Sequence, residues 1–266
     1  MLARDPDAEV RLYDALRDSF ARDERTGIHL SSLLNPMQEH WRRALGRPPL
    51  TNAEIGYFTA GRGHEDILTK LLESDFVSTP EEEIDGIHCR PDFIAVTDRV
   101  IPKGSHAELK TRRANLPKSD ADAQTAFESY RAQVRGYMAL KRQNEMYLIV
   151  LSLTEGKTRD PLSTSAPVIA VYKEVMTDEE LEQTRQELRE RRGYLENGRV
   201  DRLPLCWSFL CGRWSKIKVG KEVTWLYLPK CPYYADCQPQ LRDPKRGMRD
   251  RPEPASAEAG SPGICS

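Results

Sequence analysis

Within residues 85–111, the side chains whose types and spacing point to one chemistry are Asp92, Glu108 and Lys110. Phe93 and Ala95 alternate with differently facing neighbours, and Ile101 extends the apolar set, so Asp92 opens a predicted strand. Lys103, Gly104 and Ser105 are turn material, and residues 107–111 are a predicted return strand. Residues two apart on a strand share a face, so Glu108 and Lys110 point the same way, and Asp92 can join them across the hairpin. Two carboxylates are hard oxygen donors suited to a divalent cation such as magnesium or manganese. Such a cation polarises a phosphodiester and lowers the pKa of a bound water. The Lys110 ammonium can orient that water and offset phosphate charge. The same residues also fit a solvated β-hairpin carrying a surface Glu–Lys pair.

The surrounding elements must hold these residues in place. Residues 6–22 read as an amphipathic helix, with Val10, Leu12, Tyr13, Leu16 and Phe20 on one stripe. Residues 29–45 read as a second helix, carrying Leu30, Leu33, Leu34, Trp41 and Leu45 and broken by Pro48 and Pro49. Thr51 and Glu54 have capping-box spacing and start a third, which runs toward Leu71 and Leu72. Gly61 and Gly63 lie inside it, where each costs about 1 kcal/mol against alanine. A close approach to another backbone or to a ligand would explain them. His64 shares a helix face with Ile67, Leu68 and Leu71, the place of a core-edge histidine bonded to backbone. Glu65 offers a carboxylate on the same turn.

Residues 76–78 and 84–89 are predicted strands, with Asp85 a second candidate acid better placed as a turn residue before Gly86. The basic run Lys110, Arg112, Arg113 and Lys118 reads either as a solvated loop or as a contact for a phosphate backbone. A helix from Ser119 or Asp120 to Gln143 puts Ala126, Tyr130, Gln133 and Tyr137 on one face. Residues 146–153 are a continuous apolar run, as in a strand covered on both sides. Residues 168–175 are another strand, and the polar residues 154–167 between them a loop. Thr177 and Glu180 cap a helix to about Glu196, closed by Asn197 and Gly198. Alternating helices and strands in this order predict an α/β fold.

Pro91-Asp92 together with Glu108-Leu109-Lys110 resembles the PD-(D/E)xK nuclease superfamily. His64 ahead of the hairpin, and Gln133 and Tyr137 on the helix after it, extend the likeness to RecB-like, CRISPR-associated RecB-type exonucleases. The resemblance implies a restriction-endonuclease-like mixed sheet flanked by helices. It implies an N-terminal helical part at residues 1–50, a nuclease core at 51–200 and a cysteine-bearing part at 201–242. The implied activity is a divalent-metal-dependent DNA nuclease acting on ends or single strands, in CRISPR adaptation, recombination or phage DNA processing. Mg2+ or Mn2+ would be held by His64, Asp92, Glu108 and the Leu109 carbonyl. Lys110 would orient water or phosphate, while Gln133 and Tyr137 would position the DNA backbone or brace the site. The rival expectations are a catalytically silent nucleic-acid-binding subunit on the same scaffold and a zinc-stabilised interaction protein.

Cys206, Cys211, Cys231 and Cys237 cluster after the last of these helices. The run from Cys231 to Cys237 resembles the end of the iron–sulfur motif in CRISPR-associated RecB-like exonucleases and AddB-type nucleases. Two positions depart from it: Asn35 stands where the N-terminal cysteine is expected, and Leu228 where one is expected three residues before Cys231. Four thiolates suit a [4Fe–4S] cluster or Zn2+; unligated, Cys206 and Cys211 would pack beside Trp207, Phe209 and Trp214. Cys89 and Cys265 are expected to be unligated, and residues 243–266, rich in Pro, Gly, Ser, Arg and Ala, to be disordered.

The 266 residues, 39% of them hydrophobic, are enough for one large core with additions. No run approaches the roughly 18 apolar residues of a membrane span, and the N-terminus lacks a signal peptide's apolar centre, so a cytoplasmic location is expected. Six cysteines in that setting suggest metal or buried thiols before disulfides. A net charge of −1 neither announces nor excludes a nucleic-acid partner, because a local basic groove is what binds phosphate.

Overall fold

A computed structural model of the protein describes residues 6–21, 26–112, 114–155, 166–203, 212–219, 222–229 and 231–241. The chain divides into two units: Met1–Leu34 with Pro48–Asn197, and Asn35–Arg47 with Gly198–Ser266.

The first unit is built on strands β1 (Phe76–Ser78), β2 (Glu82–Ile84), β3 (Ile87–Cys89), β4 (Phe93–Ala95), β5 (His106–Arg112), β6 (Glu145–Glu155) and β7 (Ala166–Val175). Its main sheet has the order β1-β4-β5-β6-β7, while β2 and β3 form a separate hairpin. Only β5 and β6 pair in parallel; the other neighbours are antiparallel. A parallel pair needs a crossover, supplied here by α5 (Asp120–Ala126) and α6 (Glu128–Lys141).

Alternate residues of β5 serve opposite faces of the sheet. Ala107 and Leu109 join Phe76, Phe93 and Ile149 in a core covered by Leu68 of α4 (Asn52–Leu71) and by Leu72 at its C-cap. Glu108 faces α6. In β6, Leu148, Ile149, Val150, Leu151 and Ser152 are all buried in succession, as a strand sandwiched between helices requires.

The two predicted capping boxes are present. Thr51 Oγ1 accepts from the Glu54 amide at 3.3 Å, and Glu54 answers at the Thr51 amide at 2.8 Å. Thr177 and Glu180 do the same at the start of α7 (Asp178–Glu196).

Two predicted helices are each split. Residues 29–45 form α2 (Leu30–Leu34) and α3 (Pro36–Leu45), because Pro36 drives Asn35 out of the helical region to φ −132°, ψ 57°. The helix expected from 119 to 143 breaks at Phe127, φ −112°, ψ 16°, whose buried ring meets Tyr172 edge-on at 5.0 Å. The close backbone approach expected at Gly61 and Gly63 is also absent: among the described residues, no atom comes within 4 Å of a Cβ built at either. The close approach falls instead at Gly136 of α6, where a Cβ would meet Leu30 Cδ1 of α2 at 2.7 Å.

The second unit contains α3, the hairpin β8 (Gly212–Val219) and β9 (Glu222–Pro229), and a terminal helix, α8 (Tyr234–Leu241). Buried Tyr233 donates its hydroxyl to the Gly46 carbonyl at 2.8 Å, tying the α8 end to the end of α3. Cys231 is half-buried before α8, and Cys237 is buried on it. Cys206, Cys211, Cys265 and residues 243–266 lie outside the described residues. No helix among the described residues is long and apolar enough to cross a membrane.

Candidate functional site

Asp92 sits between Pro91 and β4. Its turn is pinned by Thr79, whose hydroxyl donates to the Pro91 carbonyl and whose amide donates to the Asp92 carbonyl at 3.4 Å. The Asp92 carboxylate then reaches across to β5, where its Oδ2 accepts the Leu109 amide at 2.8 Å. That backbone bond brings Asp92 beside Glu108, which is only 1% exposed. Glu108 Oε1 accepts from Lys110 Nζ at 2.6 Å and from Gln133 Nε2 at 2.8 Å. Gln133 also donates to the hydroxyl of Tyr137, one turn along α6, at 2.9 Å. Glu108 Oε2 is buried and, among the described residues, has no hydrogen-bond partner.

The electrostatics are unbalanced on the acidic side. Burial, then the neighbouring Glu108 charge, pushes the Asp92 carboxyl up to about 7. Burial alone would lower Lys110, but Glu108 and Asp92 together outweigh it and hold the ammonium above its ordinary value. Tyr137 is driven up by burial and by Glu108, so it stays a neutral phenol. Lys110 is therefore a charged donor here and not a base.

Of the predicted site residues, Asp92, Glu108, Leu109, Lys110, Gln133 and Tyr137 meet in one bonded cluster. His64 stands differently. Its Nδ1–H donates to the Ala60 carbonyl at 2.6 Å, as a helix-bound histidine does, which leaves Nε2 as the acceptor nitrogen. It lines a cleft with Thr111, Arg112 and Tyr130. Glu65, on the next position of α4, is within electrostatic reach of the pair: its carboxyl is raised first by burial and then by Asp92, against the opposing pull of Arg90 and Lys110.

Among the described residues, no three His, Cys, Asp or Glu side chains stand close enough together to hold an ion. The expected convergence of His64, Asp92 and Glu108 on one point is therefore not present. A histidine tied to its own helix backbone points where that bond directs it. The donors that fit a hard divalent cation are the Asp92 and Glu108 oxygens, with Glu108 Oε2 keeping its lone pairs free of any hydrogen bond among the described residues. Thr79 was not singled out in the sequence, and its only signal was a polar residue ending a strand twelve positions before Pro91.

No protein-family model and no curated protein matches the chain. Among solved structures, it is similar to SSO0001 at 19% identity and a TM-score of 0.42, over 71% of this chain and 86% of that one. It is also similar to an alkaline exonuclease, LHK-Exo, from Laribacter hongkongensis, at 15% identity and a TM-score of 0.38. LHK-Exo in complex with dAMP gives 12% and 0.37; both LHK-Exo comparisons cover 66% of this chain and 90% of theirs. On its own strand order, with one acid directly before β4, another on its antiparallel neighbour β5, and helices on both faces, the first unit is a restriction-endonuclease-like α/β core.

Proposed function

We propose that the protein is a divalent-metal-dependent DNA nuclease, hydrolysing phosphodiester bonds at the Asp92–Glu108–Lys110 site. The observation that carries this reading is the pair of buried carboxylates, one with its pKa near 7 and the other with an oxygen that, among the described residues, has no donor of its own. Two acids forced together out of water destabilise the chain unless a cation joins them. Asp92, Glu108 and the Leu109 carbonyl would be the oxygen donors, and a bound ion would have to draw in His64 or Glu65 of α4 as a further ligand, because no third such side chain stands with the two acids among the described residues. A bound Mg2+ or Mn2+ would supply Lewis acidity and an activated water.

The chain's own residues do the rest. Lys110 presents an ammonium to the attacking water or to a phosphate oxygen. Gln133 fixes Glu108 Oε1, and Tyr137 fixes Gln133, so both are positioning residues. The finer reading, a RecB-like exonuclease working on DNA ends or single strands in CRISPR adaptation, recombination or phage DNA processing, rests on the sequence resemblance. So does a [4Fe–4S] cluster or Zn2+ at Cys206, Cys211, Cys231 and Cys237, which elemental analysis of anaerobically purified protein tests directly.

The deciding experiment incubates purified protein with end-labelled single- and double-stranded DNA in magnesium, manganese or chelator. Metal-dependent shortening is expected. One observation favours a second reading: the described residues gather two carboxylates and not three ligand side chains. DNA binding without cutting in either metal would select that reading, a silent nucleic-acid-binding subunit.

A further inference from the structure

Beside the acid pair lies a cleft of about 460 Å3, within the size range of small-molecule sites. Tyr57, Gly61 and His64 of α4 line one side of it, and Arg112 of β5 and Tyr130 of α6 line another. Thr111 and Arg112, which also line the cleft, directly follow Lys110 on β5, and Tyr130 is within electrostatic reach of the Lys110 ammonium.

Two features of this cleft are not fully accounted for by contacts among the described residues. The first is Arg112. Its guanidinium is half-buried, lies 5.0 Å over the Phe127 ring, and its Nε is a buried donor without a partner among the described residues. Among the described residues it makes no ion pair, whereas Arg131, Arg135 and Arg185 are each bound to a carboxylate. A half-buried cation with no counter-charge is matched to an anion from outside. The second is Gly61. Nothing in the fold crowds its Cβ position, and its backbone is ordinary helix, so the chain's own packing does not call for glycine there. The space it leaves open is cleft space.

We propose that this cleft holds one nucleotide of a nucleic-acid strand, next to the phosphate at the acid pair, with Arg112 on its phosphate and Tyr57 and Tyr130 against its base and sugar. The choice of ligand rests on the nuclease reading; the cleft and its unpaired cation do not. Lys110 and Arg112 share a face of β5 and are two residues apart, a spacing of about 6.6 Å along a strand. That is close to one phosphate step of an extended single strand. Aromatic rings beside a basic groove are how sequence-tolerant strand binding is achieved.

The test needs no cutting. The full-length protein, in chelator, is titrated with a labelled single-stranded oligonucleotide across a salt series, and the Tm of each variant is measured alongside. Arg112→Gln is expected to weaken binding about tenfold and to lower the slope of log K against log salt by about 0.7, one phosphate contact on a single strand. Arg112→Lys should restore the slope. Gly61→Leu should weaken binding with no fall in Tm, while Gly63→Leu, on the same helix and outside the cleft lining, should bind as wild type. The proposal is overturned by an unchanged salt slope in Arg112→Gln, by Gly61→Leu binding as tightly as Gly63→Leu, by losses that track Tm, or by wild type that does not bind the strand. Failure of the nuclease reading looks different: wild type would bind, the variants would behave as above, and no product would form in magnesium or manganese.

Discussion

Asp85 and Asp92, seven residues apart in the first unit, are treated in opposite ways. Asp85 occupies the β2–β3 turn in the left-handed region, φ 55°. Arg185 donates to its carboxylate through Nε at 2.6 Å and Nη2 at 3.1 Å, and Arg189 Nε adds a third bond at 2.9 Å. The Arg192 guanidinium closes on its backbone carbonyl, in space that only Gly86 leaves free. Arg185 and Arg189 hold this carboxyl far below the usual carboxylate range. Asp92 receives one backbone N–H and faces another acid, and its carboxyl rises to about 7. The first acid is electrostatically complete and fastens a hairpin to α7. The second is incomplete: burial and the Glu108 charge outweigh the opposing charge of Lys110. A sequence shows two aspartates; the difference between a fastening and a working acid lies in what surrounds them.

The comparison is broken most directly at the working acid. Asp92→Ala, Glu108→Ala and Lys110→Ala should each lower cleavage by about 100-fold to 10,000-fold with the fold intact by circular dichroism. Full activity of both Asp92→Ala and Lys110→Ala in manganese would sink the site assignment. A subtler substitution separates function from stability. Asn at 92 keeps an acceptor for the Leu109 amide but removes the buried charge. Because the folded carboxyl is raised, its ionisation costs stability progressively as pH climbs from about 4 to about 7. In chelator at pH 8, Asp92→Asn should therefore be more stable than wild type by about 2–4 kcal/mol, with the gain vanishing in acid. Magnesium should raise the Tm of wild type and not of the variant.

Gln133→Leu removes one donor to Glu108 Oε1. It should raise the metal concentration needed for half-maximal cleavage about 10-fold to 100-fold, read from a magnesium titration of rate. The smallest effect belongs to the fastening acid. Asp85→Asn should cost about 1–2 kcal/mol near neutrality, measured by urea unfolding, and leave cleavage untouched. The sign of its pH dependence is opposite to that at 92. A depressed folded pKa contributes stability above about pH 4 that is lost as pH falls below it. Wild type should thus lose more stability than Asp85→Asn between about pH 4.5 and about pH 2; parallel curves would mean that the arginines do not hold this charge.

What was legible in the sequence was local or periodic. Thr51 with Glu54 and Thr177 with Glu180 marked two helix starts because a capping box closes within four residues. The apolar run of β6 announced a strand covered on both faces. Strand alternation placed Glu108 and Lys110 on one face, and the structure joins them at 2.6 Å. What escaped was non-local. Asp85 reads as a turn residue, and its partners arrive a hundred residues later on α7. The helix breaks at Asn35 and Phe127 were masked by continuous apolar patterns, although Pro36 was a local warning. Gly136 carries no signal until Leu30 is seen against it.

The break at Asn35 has a consequence in time. It delivers the segment Asn35–Arg47 to the second unit, whose remainder begins only at Gly198. On a ribosome adding about 5–20 residues per second, α3 emerges and then waits on the order of ten to thirty seconds for the chain that completes its unit. Throughout that interval its apolar side, including Met37, which ends up buried, lacks the Tyr233 segment that will close against Gly46. The first unit can assemble in the meantime around a loop held in reserve. Closure of the second unit therefore has to wait for two segments that flank most of the first.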